Sequence, residues 1–266
     1  MAAAADPYLN EMNAPMPYDL IETLGAEQGL VCCVGAGGKK STLYHLAAAH
    51  TGRVGLTATA HIERFPRTLA RNSVVADDPE LSERVLALSE SQRMVAFAKP
   101  CDLPGRHLGV SFEELARLRA CGKFDVCLVK ADGARNRIIK APAPHEPALP
   151  PETTTVIPVC SIRAVGMPLD ARICHRPERF AAVTGLSLGA LVEPLHLARL
   201  LASPDGALRG VGHARVIPLV NMVDDAALEE LAIEVAEQAL MLTTRYAYVV
   251  LAAMRNARPI VRVITR

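Results

Sequence analysis

A glycine-rich segment followed by two lysines carries residue types that bind phosphate. The segment Gly35–Thr42 reads Gly-Ala-Gly-Gly-Lys-Lys-Ser-Thr, and it lies between the apolar run Leu30–Val34 and a helical pattern. Glycines let backbone N–H groups turn toward an anion, and the start of a helix adds unpaired N–H groups with a partial positive charge. A strand, a glycine loop and a helix in this order predict a phosphate-binding loop of the P-loop type.

The predicted ligand is a nucleoside triphosphate, ATP or GTP, which P-loop proteins usually bind together with Mg²⁺. The loop residues predicted to bind it are Gly35, Ala36, Gly37, Gly38, Lys39, Lys40, Ser41 and Thr42. The match is incomplete, because Cys33 stands at the first consensus glycine and Lys40 at the usual Ser or Thr. A glycine-rich turn without a ligand is the alternative, but it would leave two adjacent lysines without an anion to offset their repulsion.

A carboxylate follows a second apolar run. Phe124–Val129 predicts a buried strand, and Asp132 lies just beyond its end. P-loop proteins hold Mg²⁺ or orient a water with a carboxylate at this place. Asp132 and Ser41 are therefore the predicted metal ligands, and Asp132 and Lys39 the predicted catalytic residues. The alternative is that Asp132 caps the turn before Gly133.

The segment Asn221-Met222-Val223-Asp224 follows a late apolar run and resembles the Asn-Lys-x-Asp sequence of GTP-binding proteins. In that sequence Asp accepts hydrogen bonds from the base and Asn positions the loop. Met222 replaces the Lys, so only an apolar stem remains to pack on a purine. Asn221 and Asp224 are the predicted base contacts. The alternative is a helix N-cap at Asp224 or Asp225.

Further polar side chains are predicted to contact a substrate or an anion. Some follow the second strand, and others lie in or beside the Pro-rich segment Ala134–Pro151; they are Thr57, Thr59, His61, Lys130, Arg135, Arg137, Lys140, His145 and Glu146. Irregular segments of this length are usually functional or disordered. An ordinary role in a strand is the alternative for the threonines, and a surface connection is the alternative for the Pro-rich segment.

Apolar runs alternate with helical patterns along the chain. The predicted strands are Leu30–Val34, Arg53–Ala58, Met94–Ala98, Phe124–Val129, Thr155–Cys160, Arg215–Val220, Tyr246–Leu251 and an edge strand at Pro259–Ile264. The predicted helices are Tyr18–Ala26, Lys39–His50, Asp78–Ser89, Phe112–Cys121, Leu188–Ala202 and Ala226–Leu242. Continuous apolar strands are typical of parallel sheets covered by helices.

This alternation predicts a doubly wound α/β fold of the P-loop NTPase type, with a mostly parallel sheet and helices on both faces. The ligand crevice is expected at the carboxyl ends of the strands, where the polar segments described above would converge. Residues 1–17 are predicted to form a flexible N-terminal arm and residues 18–266 a single nucleotide-binding domain.

Composition narrows the classes of partner. The formal net charge is +1, so nothing in the overall charge favours a nucleic-acid partner, and the sequence has no apolar stretch of transmembrane length. Seven cysteines, an odd number without a Cys-x-x-Cys pair, lie mostly in apolar runs. This usage predicts reduced thiols in a cytoplasmic protein.

Several segments resemble a known family in the same order. They are Val34–Lys39, Val129–Ala134, Lys140–Pro147, His175–Phe180 and Thr184–Gly185. Across Leu30 to Asp224 the chain resembles the YqeC family, accessory proteins for selenium-dependent molybdenum hydroxylases. The resemblance implies a P-loop fold, nucleotide binding and a role in maturing a selenium-containing molybdenum cofactor. It also implies a molybdenum hydroxylase or a cofactor-maturation protein as partner.

Two departures from the family sequence weaken the predicted metal site. Lys130 stands where the family has Glu, and Lys40 where it usually has Thr. A charged lysine cannot ligate Mg²⁺. The hypothesis is a protein that binds a nucleotide and hydrolyses it slowly. Two alternatives remain open: a catalytically silent carrier or chaperone for a phosphorylated cofactor of the molybdopterin type, and a P-loop kinase or ligase acting on a small molecule.

Overall fold

Ten strands form the central sheet of residues 18–266, the part of the chain that this computed structural model describes. The predicted arm, residues 1–17, lies outside the described residues. In chain order the strands are β1 Gly29–Gly35, β2 Val54–Ala58, β3 Ile62–Glu63, β4 Ser73–Val75, β5 Met94–Ala98, β6 Arg106–His107, β7 Val126–Lys130, β8 Ile139–Lys140, β9 Thr155–Ser161, β10 Cys174–His175, β11 Arg215–Val216, β12 Leu219–Asn221, β13 Tyr248–Ala252 and β14 Ile260–Thr265.

The sheet runs in the order β14-β13-β12-β9-β1-β7-β2-β5-β4, with β11 also paired to β9. Every pairing in it is parallel except that of β14 with β13. β1 lies near the centre, and its Cys33 is in register with Lys130 of β7 on one side and Ile157 of β9 on the other. The predicted mostly parallel sheet, with an edge strand near Pro259–Ile264, is confirmed. The remaining strands pair outside it, β3 with β6 and β8 with β10.

Helices cover both faces of the sheet, as predicted. They are α1 Leu20–Thr23, α2 Lys39–Ala49, α3 Glu80–Ser91, α4 Phe112–Gly122, α5 Pro177–Thr184, α6 Pro194–Ala202 and α7 Ala226–Leu242, with 3₁₀ turns at Arg67–Asn72 and Ile162–Ala164. Side chains of α1 and α2 share one hydrophobic cluster with Val31 and Cys33 of β1. Side chains of α3 to α7 share another with Cys32 and Val34, because neighbouring strand residues point to opposite faces.

Three predicted elements are interrupted or differ from the structure by more than two residues at an end. The helix predicted at Leu188–Ala202 begins only at Pro194, because Gly189 has a φ of 80° and proline favours the first helical position. The strand predicted at Arg215–Val220 is split into β11 and β12, because Pro218 has no N–H to continue the ladder. Of the helix predicted at Tyr18–Ala26, only the four residues of α1 are helical. The helix ends before Gly25, which has a φ of 57°.

No helix among residues 18–266 is long and apolar enough to cross a membrane.

Candidate functional site

The glycine-rich loop connects β1 to α2, and close contacts explain its glycines. Gly35, Gly37 and Gly38 have φ values of 85°, 83° and 144°, which side chains disfavour. A Cβ atom at Gly37 would lie 2.5 Å from the carbonyl oxygen of Ile138, and one at Gly38 would lie 2.0 Å from Nδ2 of Asn221. The loop is therefore pressed against two neighbouring segments and has no room for side chains at these positions.

Five backbone N–H groups of this loop have no acceptor among residues 18–266. Ala36 donates to Val159 and Thr42 donates to Gly38, whereas the five N–H groups of residues 37–41 have no acceptor within the described chain. Gly38 is the N-cap of α2, and none of the described side chains caps this helix end. Five successive free donors at a helix start form a favourable site for an anion.

Asp132 lies beneath this loop and joins two lysines. Its Oδ1 is 2.9 Å from Nζ of Lys39, an ion pair without hydrogen-bond alignment, and its Oδ2 is 2.8 Å from Nζ of Lys140. The backbone N–H of Gly35 also donates to Oδ2, at 3.0 Å. Burial would raise the pKa of Asp132, but Lys39 and Lys140 outweigh that effect and lower it. Asp132 is therefore a buried, charged carboxylate shared by two ammonium groups.

Lys130 ends β7 beside this cluster and has no carboxylate oxygen within ion-pair distance among residues 18–266. Its Nζ donates to the carbonyl oxygens of His61, at 2.6 Å, and of Asp132, at 2.7 Å. Only 8 % of the residue is exposed. Burial, with a further contribution from Lys39, lowers the pKa of Lys130 to about 7. The side chain donates hydrogen bonds to the backbone and offers no oxygen to a metal.

A cleft of about 590 Å³ opens above the loop. It brings together eleven of the residues that the sequence assigned to the site, namely Gly37, Gly38, Lys39, Lys40, Ser41, His61, Lys130, Arg135, Arg137, Asn221 and Asp224. These residues come from the carboxyl ends of β1, β2, β7 and β12 and from the segments that follow them. The parallel sheet therefore gathers segments that are far apart in sequence at one edge.

Positive charge dominates the cleft. Of the residues that the structure describes, eight Lys or Arg side chains line it but only two carboxylates, those of Glu63 and Asp224. Both carboxylates are paired, Glu63 with Lys40 and Asp224 with Arg163. Three of the basic residues were not predicted from the sequence: Arg106, Arg163 and Arg255. Arg163 and Arg255 each follow closely on the end of a parallel strand, and that position is the signal that could have found them.

The remaining predicted residues lie outside this cleft. The hydroxyl of Thr57 donates to the carbonyl of Phe97 at 2.6 Å, and that of Thr59 donates to Ala148 at 2.8 Å. Both threonines are thus engaged by backbone. The others that do not line it are Gly35, Ala36, Thr42, Asp132, Lys140, His145 and Glu146.

The segment 221–224 contributes an anchor, an apolar wall and an ion pair. Asn221 donates from Nδ2 to the carbonyl of Gly37 at 2.7 Å and accepts from the N–H of Met254 at 3.0 Å. Met222 has a φ of 65°, unusual for a residue with a side chain, and lines the cleft with Met254. Asp224 is 2.7 Å from Arg163, while its neighbour Asp225 caps α7. Asn221 therefore holds the loop, and Asp224 is engaged by a cation.

The Pro-rich segment is tied to Asp132 through charge. Nζ of Lys140, whose side chain is fully buried, is 2.8 Å from both Asp132 and Glu146. Glu146 also pairs with Arg176 at 2.5 Å. Burial opposes ionisation of Glu146, but these two cations lower its pKa to about 2. His145, at the tip, is exposed. The segment is therefore a structured support behind the loop.

The residues present do not fit a Mg²⁺ site in this arrangement. Both oxygens of Asp132 contact ammonium groups, and Asp132 is only 2 % exposed. No group of three or more His, Cys, Asp or Glu side chains among residues 18–266 is placed to hold a metal ion. Ser41 does line the cleft. The predicted metal role of Ser41 and Asp132 requires that Lys39 and Lys140 first release the carboxylate.

Comparison with known proteins identifies the family. The family described as YqeC protein matches residues 31–178, more than half of the chain. The chain belongs to the YqeC family. A YqeC relative from Escherichia coli (strain K12), described as an uncharacterized protein, is 30 % identical over 204 residues, which are 73 % of this chain and 77 % of the relative.

The region matched to the YqeC family contains most of the charged site. It includes the glycine-rich loop, Lys130, Asp132, Lys140 and Arg163. The cleft wall formed by Asn221, Met222 and Met254 lies beyond it. The YqeC match therefore covers the end of the cleft that holds the free N–H groups.

Proposed function

We propose that this member of the YqeC family binds the phosphate groups of a nucleoside triphosphate, ATP or GTP, in the cleft above the glycine-rich loop. One observation carries the proposal: five successive free N–H groups, on residues 37–41, belong to a loop whose cleft is lined by eight basic side chains. Free N–H groups and a helix start recognise an anion of any kind. The surplus of cations favours an anion with several charges.

Four arginines of the cleft carry positive charge that no described carboxylate neutralises by an ion pair. Arg106, Arg135, Arg137 and Arg255 line the cleft, and none of them forms an ion pair with a carboxylate within residues 18–266. Arginine presents a planar set of N–H donors that matches phosphate oxygens. A polyphosphate chain would satisfy both these side chains and the loop N–H groups.

The proposed biological role is accessory: nucleotide binding during maturation of selenium-dependent molybdenum hydroxylases, with a hydroxylase or a cofactor-maturation protein as partner. Membership of the YqeC family supports this role, together with the loop and the Lys140–Pro147 segment that carry the resemblance. Hydrolysis is proposed to be slow, because the buried Asp132 is held by two lysines and cannot orient a water from the cleft.

The apolar wall of the cleft favours a second candidate, a silent carrier of a phosphorylated cofactor. Met167, Met222 and Met254 line the cleft beside the charged residues. Methionine side chains adapt to the flat face of many ring systems, so the wall suits a pterin as well as a purine. The occupied Asp132 fits a carrier equally, since a carrier performs no chemistry on its ligand.

Calorimetric titration tests both candidates. We expect ATP or GTP, and inorganic tripolyphosphate, to bind to the full chain, and the variant Lys39→Met to bind at least about tenfold more weakly. Arg84→Met is the matched control, because Arg84 is half exposed on α3 and, within the described part of the chain, forms an ion pair with Glu80 alone. A phosphate-release assay then separates binding from turnover. Binding of a phosphorylated pterin without nucleotide affinity would select the carrier, and unchanged affinity in Lys39→Met would refute the proposed site.

A further inference from the structure

The cleft is unusual for a P-loop-type site in its oxygen donors. A cleft that binds a nucleotide with Mg²⁺ needs carboxylate or hydroxyl oxygens facing the phosphates, since Mg²⁺ prefers oxygen ligands. Among residues 18–266, the cleft is lined by one hydroxyl, that of Ser41, and by two carboxylates, each of which already contacts a cation, Glu63 with Lys40 and Asp224 with Arg163. Asp132, the carboxylate nearest the loop, is 2 % exposed and shared by two lysines.

Two lysines occupy positions where the P-loop consensus or the YqeC family has a side-chain oxygen that could ligate a metal. Lys40 occupies the position directly after the loop lysine, where the P-loop consensus has a hydroxyl. Lys130 ends the strand that leads to Asp132, and its Nζ donates to two carbonyl oxygens at 2.6 and 2.7 Å. Both side chains line the cleft, and neither can donate a lone pair to a metal while protonated. Lys40, together with Lys130 in its protonated form, would repel a divalent cation from the cleft.

We infer that this cleft binds its polyphosphate ligand as the free anion, without Mg²⁺, with side-chain cations supplying the charge that a metal supplies elsewhere. The inference rests on the proposed phosphate-binding function and adds the chemical form of the ligand. The geometry that supports it is the joint placement of eight basic side chains, two paired carboxylates and the buried, doubly paired Asp132.

The charge of the ligand predicts how Mg²⁺ changes its affinity for the cleft. A free triphosphate is more negative than its magnesium complex, so it is attracted more strongly by a cationic cleft. Mg²⁺ in solution then competes with the protein for the same phosphate oxygens. Affinity should therefore be equal or higher when Mg²⁺ is removed, the reverse of the behaviour of a site that binds the magnesium complex.

The experiment is a pair of titrations of the full chain with ATP, GTP and inorganic tripolyphosphate, one in excess Mg²⁺ and one in EDTA, at matched ionic strength. We expect affinity in EDTA to equal or exceed that in Mg²⁺. An affinity more than about tenfold higher in Mg²⁺ would overturn the inference while leaving the proposed binding function intact. Absence of binding of all three ligands in both buffers would overturn both.

A double variant removes one of these two charges and reverses the other. Lys40→Thr with Lys130→Glu adds a hydroxyl and a carboxylate to the cleft and removes two cations. We expect this variant to lose at least about tenfold in affinity in EDTA and to regain part of it in Mg²⁺. Arg84→Met should keep the wild-type response to EDTA. If the double variant does not fold, Lys40→Thr alone should still shift the ratio of the two affinities toward Mg²⁺, and an unchanged ratio would count against the inference.

Discussion

Nζ of Lys39 lies 2.9 Å from Oδ1 of Asp132, and the two side chains are only 5 % and 2 % exposed. The same lysine also donates to the carbonyl of Gly35. The loop lysine is therefore held by its own loop and by a carboxylate just beyond the end of the neighbouring strand β7. In the proposed binding mode, a phosphate entering the cleft would compete with Asp132 for this ammonium group.

Removal of that carboxylate should destabilise the fold. Asp132→Ala leaves the buried ammonium groups of Lys39 and Lys140 without this partner, and breaking a buried ion pair costs about 3–5 kcal/mol. We expect a loss of this order in the free energy of unfolding, measured by urea denaturation. Glu80→Ala, which breaks an exposed pair with Arg84, should cost less than about 1 kcal/mol. Equal losses in the two variants would contradict the assigned network.

The glycine contacts of the loop predict a selective loss of binding. In Gly37→Ala the new Cβ would meet the carbonyl oxygen of Ile138 at 2.5 Å, so the loop must move. We expect tripolyphosphate affinity to fall at least about tenfold in calorimetric titration. Gly210→Ala is the control, since Gly210 also has a positive φ, 69°, but a Cβ atom there would have no neighbour within 4 Å. Similar affinities in the two variants would refute the role of the loop.

Arg255, which follows β13, tests the contribution of a basic side chain that lines the cleft outside the glycine-rich loop. It lines the cleft and forms no ion pair within the described residues. Its replacement by Ala should weaken tripolyphosphate binding by about 1 kcal/mol, and the loss should shrink at high salt. Arg172→Ala is the control, because Arg172 is 82 % exposed and pairs with Asp170. A wild-type affinity in Arg255→Ala would remove this arginine from the site.

His175 should make stability depend on pH in a defined window. Burial, followed by repulsion from Arg176 and Lys140, lowers its pKa from 6.5 to about 4. Between these two values the unfolded chain binds a proton that the folded chain does not. The free energy of unfolding should therefore fall as the pH drops from 6.5 to 4.

Thermal denaturation across this pH range tests the assignment. His175→Asn should flatten the decline, whereas His145→Asn, which changes an exposed histidine, should leave it in place. Glu146 contributes mainly below that window and overlaps it only near pH 4, because its pKa falls from 4.5 to about 2. An unaltered decline in His175→Asn would assign the pH dependence to other groups.

Lys130 should make stability depend on pH in a second window, above pH 7. Burial lowers its pKa from 10.5 to about 7, so charging it is unfavourable in the folded state. The wild-type free energy of unfolding should gain from this group as the pH rises from 7 toward 10.5. Lys130→Met lacks this gain, so its stability relative to wild type should fall over that range. Lys123→Met, which alters an exposed lysine outside the cleft, is the control for the loss of a lysine in urea denaturation.

Local pattern was sufficient for the main elements of the fold. Continuous apolar runs predicted the buried strands. The predicted bounds of β5, Met94–Ala98, and of α7, Ala226–Leu242, were correct to the residue, because polar residues flank both segments. The glycine-rich loop was also evident, since a strand, glycines and a helix start are adjacent in sequence. Where proline or glycine interrupted a pattern, as at Pro218 and Gly189, the predicted boundaries were wrong.

The sequence by itself determined the α/β class, the loop and the departures at Lys40 and Lys130, since these depend on residue type and local order. Only the tertiary structure decided which charges meet. Ion pairs such as Asp132 with Lys39 join residues 93 positions apart, and their geometry depends on the parallel register of β1 and β7. The arginines after β9 and β13 reach the cleft because the carboxyl ends of parallel strands share one edge, which no local pattern encodes.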